Sequence, residues 1–429
     1  MVLQSIDLIR KRISGIRKRC EDSDSLDGIN IGHFSSVFEI PTQHWSSIIS
    51  ATGNILMSAP YMAGMEQHPY KGMCFHYLIA YNEQGPIGVL YFQESDIEIT
   101  DVDDKVNTEE VKVDSKSLFS KTKGVIMKNL DFLKARMLVC GNLYMSGKPA
   151  FQFLPEIDIK TQAQVIKLAM DRVVDADRSG KKIRVILVKD ITPEMEKEMA
   201  ELDSDLTRFE VQPNMVVNIL PEWKTLDDVF AEYASKYRVR AKKARKMLGD
   251  IKVREMTESE IEKHGSRIMD LFKEVEDKAD FSMVSIHPRY FLDLKIAMEE
   301  KFSFYGFFEG DKLVSFYSLF RAEDENLASF VGMDYTYNRA HSLYQNMLYH
   351  YIEGAVNDGV KRLDLARTAM EIKSTVGAEP EMHMLMVKST NSITNSILRP
   401  FIKNINQVEW TQRRPFKFQK DVEKLETSV

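Results

Sequence analysis

The most informative segment of the sequence is Phe307-Phe308-Glu309-Gly310-Asp311-Lys312-Leu313-Val314. Apolar runs over residues 302–308 and 313–320 flank its Glu-Gly-Asp centre, which has the composition of a tight turn. This pattern predicts a β-hairpin. A third strand is predicted over residues 326–335, and a helix over residues 341–358 stops before a buried strand at 361–365.

The first half of the chain repeats this order of elements. Residues 77–81 and 87–93 predict a hairpin, residues 136–140 a further strand, residues 162–177 a helix and residues 184–188 a buried strand. We interpret the second half as a structural repeat of the first. A period of about 200 residues indicates duplicated domains rather than a solenoid.

Composition limits the class of protein. The chain has 429 residues, 44% hydrophobic and 28% charged, which suits two globular domains. Its net charge of −6 gives no general attraction to nucleic acid. No apolar run is long enough to span a membrane, and no secretory signal is visible. Three scattered cysteines do not make a disulfide framework or a zinc site, so we expect a cytoplasmic protein without metal.

We divide the chain into three parts. Residues 1–30 form a basic amphipathic helix and linker, residues 31–211 a first unit and residues 212–429 a second unit. The fold class is α/β (α+β), with a mixed sheet flanked by helices in each unit. An acidic segment at residues 95–117 is interpreted as a loop or solvated edge, with a mobile lid as the alternative.

The N-terminal helix has two interpretations. Apolar residues recur every three or four positions, and six cations occupy much of the remaining surface. Such a helix either docks on its own domain or lies on an anionic membrane surface. The second interpretation predicts a peripheral location at the inner membrane.

The sequence resembles the GNAT acyltransferases. The resemblance rests on the hairpin quoted above and on four further segments: Val331-Gly332-Met333-Asp334-Tyr335, Gly359-Val360-Lys361-Arg362-Leu363-Asp364-Leu365-Ala366-Arg367-Thr368, Glu371-Ile372-Lys373-Ser374-Thr375-Val376-Gly377 and Ser235-Lys236-Tyr237-Arg238-Val239-Arg240-Ala241-Lys242-Lys243-Ala244. Together they look like the tandem-GNAT branch, which includes FemAB-type peptidoglycan enzymes and other bacterial N-acyltransferases. The resemblance implies two GNAT-like domains in tandem and an acyltransferase activity.

One segment departs from that family. Ordinary GNAT enzymes hold the pyrophosphate of acyl-CoA with a glycine-containing loop at a helix N-terminus. The corresponding residues here, Asn338-Arg339-Ala340-His341-Ser342-Leu343-Tyr344, contain no glycine. The missing glycine restricts close approach of the backbone, although helix N-terminal amides still suit a phosphate. We include Ser342 and Tyr344 among the substrate-binding candidates.

Four residues are candidates for catalysis. An amine that attacks a thioester must lose a proton, and the leaving thiolate must gain one. Glu371 is a candidate base, Asp334 a group that orients the amine and Tyr335 a proton donor to the thiolate. His341 is a further candidate base or phosphate ligand. The alternatives are a solvated helix position for Glu371, a turn cap for Asp334 and an ordinary helix position for His341.

The remaining candidates bind substrate. Arg367, Thr368 and Lys373 follow a buried strand, where an α/β sheet tends to bind ligands. We expect Arg367 and Lys373 to be exposed, so that their loss weakens binding but not stability. Gly332 interrupts a strand and predicts a bulge, which the resemblance connects with acyl-chain entry. Residues 226–248 predict a long helix that is basic in its later half. On this helix Arg238 and Lys242 share with Arg245 a face suited to phosphate, the alternative being a solvated helix.

The predicted function is transfer of an acyl group from a thioester donor of the acyl-CoA type to an amine, in a cleft of the second unit. Acyl-CoA is a co-substrate, and no cofactor is expected to stay bound. Three alternatives remain open. They are a Fem-like aminoacyltransferase that uses aminoacyl-tRNA, an N-acyltransferase acting on an amino-lipid, and a non-catalytic binding protein that keeps the fold.

Overall fold

The computed structural model describes residue 26 and residues 28–70, 72–98, 134–176, 182–278, 286–403 and 410–419. The predicted N-terminal helix and most of the acidic segment lie outside these residues. The start of that segment, residues 95–98, is not a loop, because it continues a strand and pairs with residues 134–137.

The described chain alternates strands and helices. The strands are β1 (Asn30–Phe34), β2 (Cys74–Asn82), β3 (Gly85–Glu98), β4 (Lys134–Cys140), β5 (Phe151–Phe153), β6 (Ile183–Ile191), β7 (Thr207–Phe209), β8 (Asn214–Asn218), β9 (Lys252–Glu255), β10 (Phe302–Glu309), β11 (Lys312–Arg321), β12 (Glu325–Met333), β13 (Arg362–Asp364), β14 (Glu379–Glu381) and β15 (Met384–Ser389). The helices are α1 (Thr42–Thr52), α2 (Ala59–Gln67), α3 (Ile159–Asp175), α4 (Pro193–Leu202), α5 (Leu226–Glu232), α6 (Ser235–Met247), α7 (Glu258–Lys263), α8 (Gly265–Glu276), α9 (Tyr290–Met298), α10 (Tyr335–His341), α11 (Leu343–Asp358), α12 (Met370–Ser374) and α13 (Ser392–Lys403).

The strands form two mixed sheets that repeat one pattern. In the first sheet β2, β3 and β4 are antiparallel neighbours, and β6 then pairs with β4 in parallel. In the second sheet β10, β11 and β12 are antiparallel neighbours, and β13 then pairs with β12 in parallel. The predicted fold class and the predicted repeat are therefore confirmed.

The last strand of the described residues belongs to the first sheet. The sequence places residues 384–389 in the second unit, but β15 pairs with β6 on one side and with β7 on the other. In the second sheet the equivalent place beside β13 is taken by β8. By pairing with β6 and β13, strands β15 and β8 provide hydrogen-bond partners for backbone groups that would otherwise lie at a sheet edge. The predicted boundary at residues 211 and 212 remains a prediction.

Helices flank both faces of each sheet. Helices α3 and α4 pack on the outer face of the first sheet, and α5, α6 and α11 on the outer face of the second. Between the sheets, α1, α2, α8 and α9 share one hydrophobic core that draws residues from both units. Helices α2 and α9 approach closely, because a Cβ added to Gly64 would lie 3.0 Å from the side chain of Leu294.

Two predicted helices are interrupted. The basic helix expected from Leu226 to Leu248 breaks at Tyr233, whose backbone is extended and whose hydroxyl donates to the Val376 carbonyl at 2.9 Å. The helix expected from His341 begins instead at Leu343, because Ser342 has a left-handed backbone conformation with φ of 50°. A separate short helix, α10, precedes it.

Candidate active site

The candidate site lies where strands β12 and β13 part. The two strands pair in parallel only from Glu325 to Leu327, opposite Arg362 to Asp364. Strand β12 then continues to Met333 along β11, whereas the chain after β13 turns away. Beyond Leu327, the side of β12 that faces away from β11 has no strand partner among the described residues, and the Ser329 hydroxyl there lies 3.3 Å from Sδ of Met145.

The predicted bulge at Gly332 is wrong in position. Gly332 pairs regularly with Phe316, and the irregularity lies further back, where Ser329 and Phe330 lie opposite Ser318. Glycine is needed at 332 for another reason. An added Cβ would lie 2.1 Å from Cε1 of Phe316, whose ring covers this position.

A buried carboxylate lies at the end of β13. Asp364 is 6% exposed, and its oxygens accept from the Ala366 N–H at 2.7 Å and from Nδ2 of Asn214 at 2.8 Å. Burial raises its pKa above the ordinary value. The sequence analysis missed Asp364, although a carboxylate that ends a buried strand is a usable signal.

Lys373 holds the turn that follows β13. Its ammonium, 5% exposed, donates to the carbonyl of Ala366 at 3.2 Å and to that of Arg367 at 2.5 Å. Burial lowers the pKa of Lys373 to about 7, against an opposing effect of Asp364. The turn is strained, because Ala366, Thr368 and Ala369 all have positive φ. We had expected Lys373 to be exposed, and that expectation is wrong.

Arg367 crosses from the second unit to the first. Its guanidinium forms an ion pair with Asp190, a fully buried carboxylate that also contacts Nζ of Lys189 at 2.6 Å. Asp190 further accepts from the N–H of Gly147. Although burial opposes it, the two cations lower the pKa of Asp190, so this residue is a carboxylate. The Arg367 side chain is 16% exposed, which also differs from our expectation.

Lys189 fills the opening in the first sheet that corresponds to the candidate site. Its Nζ donates to the carbonyls of Asn142 and Met145, both at 2.7 Å, beyond the parallel pairing of β4 and β6. A Cβ added to Gly141 would lie 2.0 Å from the Lys189 side chain. The two openings thus differ, because a lysine occupies the first.

Two other candidates near the β13 exit face solvent. Thr368 is exposed. Glu371 is also exposed and forms an ion pair with Arg413, which donates through Nε at 3.1 Å. Arg367 and Lys373 are therefore in contact, through the Arg367 carbonyl, whereas Glu371 pairs with Arg413 at the surface.

A second group of candidates surrounds the starts of α10 and α11. Asp334 caps α10 by accepting from the Thr336 N–H at 3.1 Å, and it pairs with Arg267 at 3.0 Å. Despite partial burial, these contacts lower its pKa. Tyr335 lies under Nζ of Lys278, 3.1 Å from the ring centroid. Of the two interpretations of Asp334, the geometry matches the cap.

His341, Ser342 and Tyr344 form the junction of α10 and α11. The His341 ring nitrogen Nδ1 lies 3.1 Å from the Met247 carbonyl, and the Ser342 hydroxyl lies 3.5 Å from the Met247 sulfur. The Tyr344 N–H donates to Asn338 at 3.0 Å. Within the described residues no hydrogen bond or ion pair joins this group to the group around Lys373.

Helices α6 and α11 run antiparallel, with Ala244 against Asn346 and Arg245 against His350. Lys242 therefore lies away from the junction of α10 and α11. Lys242 lines a cavity of about 330 Å³ together with Glu353. Glu353 lies eleven positions beyond Ser342, which corresponds to about 16 Å along a helix. Lys242 and Ser342 therefore do not contact one common phosphate, and Arg238 lies still further along α6.

Two further properties concern the described part of the chain alone. It contains no group of three His, Cys, Asp or Glu side chains arranged to hold a metal ion. None of its helices is long and apolar enough to cross a membrane.

Comparisons with known proteins agree with this architecture. Residues 232–374 match the family model described as an acetyltransferase (GNAT) domain. The structure of FemX superposes with a TM-score of 0.50 at 10% identity, covering 84% of this chain and 99% of that one. A tandem GNAT protein from the clavulanic acid biosynthesis pathway gives 0.48 at 10% identity, with the same coverage of 84% and 99%. The N-myristoyltransferase of Saccharomyces cerevisiae with bound myristoyl-CoA gives 0.44 at 10% identity, covering 86% of this chain and 79% of that one. No curated protein sequence matches the chain.

The repeated strand pattern and the matched domain define a protein of tandem GNAT fold. The matched GNAT domain over residues 232–374 supports the acyltransferase activity that the sequence resemblance implies.

Proposed function

We propose that the protein is an N-acyltransferase that moves an acyl group from acyl-CoA to an amine at the opening between β12 and β13. The observation that carries the proposal is the coincidence of this opening with a buried Lys373 and Asp364 at its edge. In the reaction the amine nitrogen attacks the thioester carbonyl, the C–S bond breaks, and the thiolate leaves as CoA.

The start of α11 supports a donor of the CoA type. Ser342 takes the left-handed conformation, φ 50° and ψ 47°, that a glycine in a phosphate loop would favour. The following helix of sixteen residues offers its N-terminal amides and dipole to a pyrophosphate. Ser342 therefore adopts the backbone conformation that a glycine would supply at this position.

Lys373 is the best-placed group to take the proton of the amine. With a pKa of about 7, a large fraction of its side chain is neutral at physiological pH. A neutral amine that donates its two hydrogens to the Ala366 and Arg367 carbonyls keeps its lone pair free to accept a proton. Glu371 and Asp334 already serve Arg413 and the cap of α10, so we favour Lys373 over both as the base.

Tyr335 and His341 keep their predicted roles as donors near the leaving group and the phosphates. Thr368 is an exposed residue of the strained turn and is available to an acceptor. Tyr344 on α11 and Gly332 on β12 keep their assignment to substrate binding. Each of these assignments is a proposal that substitution tests separately.

The first experiment measures thermal stabilisation by acetyl-CoA, longer acyl-CoAs and aminoacyl-tRNA. A donor that binds the folded protein raises its melting temperature, and the stabilisation grows with the logarithm of the ratio of donor concentration to Kd. We expect an acyl-CoA to do so. Stabilisation by aminoacyl-tRNA alone would favour the Fem-like alternative, and stabilisation by neither would favour a binding protein without catalysis.

The second experiment follows the release of free CoA thiol in the presence of candidate amines, including amino-lipids in detergent. Lys373→Met should abolish amine-dependent release while donor stabilisation persists. If Lys373→Met releases thiol at the wild-type rate, Lys373 is not the base and the proposed site is wrong.

A further inference from the structure

Helix α6 carries a row of cations that the proposed reaction does not use. At about 100° per residue, the exposed side chains of α6 cover an arc of about 160°. The buried Ala241 and Ala244 lie on the opposite side. The exposed set is Ser235, Lys236, Val239, Arg240, Lys242, Lys243 and Lys246. We call this arc the basic face.

The cations of the basic face lack acidic partners. Among the described residues no ion pair or hydrogen bond involves any of its five cations. Lys236 and Arg240 contact the ring of Tyr237 instead, at 5.8 and 6.0 Å from its centroid. Five unneutralised cations on one helix of a protein with net charge −6 are a strong local concentration of positive charge.

The centre of the basic face is apolar. Val239 lies near the middle of the arc and is 66% exposed. The C-terminal segment adds a second apolar side chain near the start of the helix. The Lys417 N–H donates to the Glu232 carbonyl at 3.0 Å, which places the neighbouring Phe418, 45% exposed, close to this end.

We propose that the basic face docks the protein on an anionic membrane surface. Cations around an exposed aliphatic centre match a charged lipid interface, where the cations meet phosphates and the apolar side chain enters the acyl boundary. An RNA partner would also satisfy the cations. It would gain nothing from the exposed valine near the middle of the face, because single-stranded RNA is bound by stacking on aromatic rings, and the exposed ring of Phe418 lies at one end of the helix.

Docking through α6 bears on the proposed function without depending on it. The C-terminal end of α6 touches the start of α11, because Asn346 Nδ2 donates to the Ala244 carbonyl at 2.8 Å. The start of α11, which is the candidate donor site, therefore packs on the buried side of α6, opposite the basic face. Vesicle binding requires no acyl transfer, so failure of one proposal leaves the other standing.

The test is sedimentation of the full chain with vesicles of phosphatidylcholine alone and with phosphatidylglycerol added, at low and high salt. We expect binding only to the vesicles with phosphatidylglycerol, weakened by salt. The triple variant Lys236→Gln/Arg240→Gln/Lys243→Gln should bind roughly 100-fold more weakly, from about 1 kcal/mol per cation. Val239→Ser should bind several-fold more weakly at unchanged charge.

A matched control removes the same charge elsewhere. The variant Lys160→Gln/Lys182→Gln/Lys197→Gln changes three exposed lysines of the first unit and should bind like the wild type. The proposal is overturned if the wild type ignores anionic vesicles or if the α6 triple variant binds as the wild type does. It is also overturned if RNA binds through these cations and vesicles do not.

Discussion

Asp190 of the first unit and Arg367 of the second form an ion pair across the junction of the two sheets. Asp190 lies at the end of the parallel strand β6, and Arg367 follows the parallel strand β13. Asp190 has φ of 60°, and the residue before Arg367 also has φ of 60°. The two halves of the repeat are therefore joined through equivalent points of their strands.

Loss of the Asp190 charge should destabilise the protein strongly. Asp190→Asn keeps the shape and tolerates the positive φ, but it leaves Lys189 and Arg367 without their carboxylate. Breaking a buried ion pair costs about 3–5 kcal/mol of unfolding free energy, measured by chemical denaturation. Lys361→Ala is the control, since it removes a pair whose side chains are 74% and 66% exposed and should cost at most about 1 kcal/mol. Equal effects of the two substitutions would contradict a buried network.

Gly332 should be intolerant of even one methyl group. Gly332→Ala introduces a Cβ against the ring of Phe316 and should cost about 1–3 kcal/mol of unfolding free energy through overpacking. The control is Gly354→Ala in α11, where nothing lies within 4 Å of the added Cβ. That change should stabilise the helix by up to about 1 kcal/mol. A neutral Gly332→Ala would show that the ring moves aside freely.

Strands and helices with a clear local pattern were predictable, and long-range pairing was not. The hairpin at residues 302–320 follows from alternation and a turn. The insertion of β15 into the first sheet joins residues 384–389 to strand residues about 200 positions earlier, and no local pattern encodes that. The same holds for the site. Arg367 and Lys373 follow a buried strand, but their burial depends on Asp190 and on the strained turn, which only packing reveals.

Lys373 should make stability depend on pH above neutrality. Its folded-state pKa of about 7 lies below the ordinary value of 10.5, so the unfolded chain binds the proton more tightly between these limits. Unfolding free energy of the wild type should therefore rise between pH 7 and about 10, by about 1.4 kcal/mol for each unit of pKa difference. Lys373→Met removes this contribution, so its unfolding free energy should gain less over that range. Parallel curves for the two proteins would show that Lys373 is not a buried amine.

The protein should bind one acyl-CoA per chain although the fold occurs twice. Lys189 occupies the opening of the first sheet with two hydrogen bonds of 2.7 Å, whereas no lysine ammonium among the described residues donates to the backbone of β12 beyond Leu327. Titration calorimetry with the acyl-CoA that stabilises the protein most should give a stoichiometry of one. Two equivalent sites would show that Lys189 is readily displaced.

The two units should unfold as one. A single hydrophobic core runs from Trp45 and Tyr61 in the first unit to Phe291 and Phe320 in the second, and the Tyr61 and Phe320 rings meet edge to face at 5.2 Å. Separating the sheets would expose this core, so neither unit is stable when the other unfolds.

Two variants report on this coupling by tryptophan fluorescence during denaturation. One keeps Trp45 alone, and the other keeps Trp223 alone, each with the remaining tryptophans changed to Phe. Both residues are buried, at 0% and 4% exposure, so each fluorescence change follows the unfolding of its own unit. Coincident transitions are expected. The overall stability of each variant is measured separately by circular dichroism. If the two fluorescence midpoints differ by more than these stabilities do, the shared core does not couple the units.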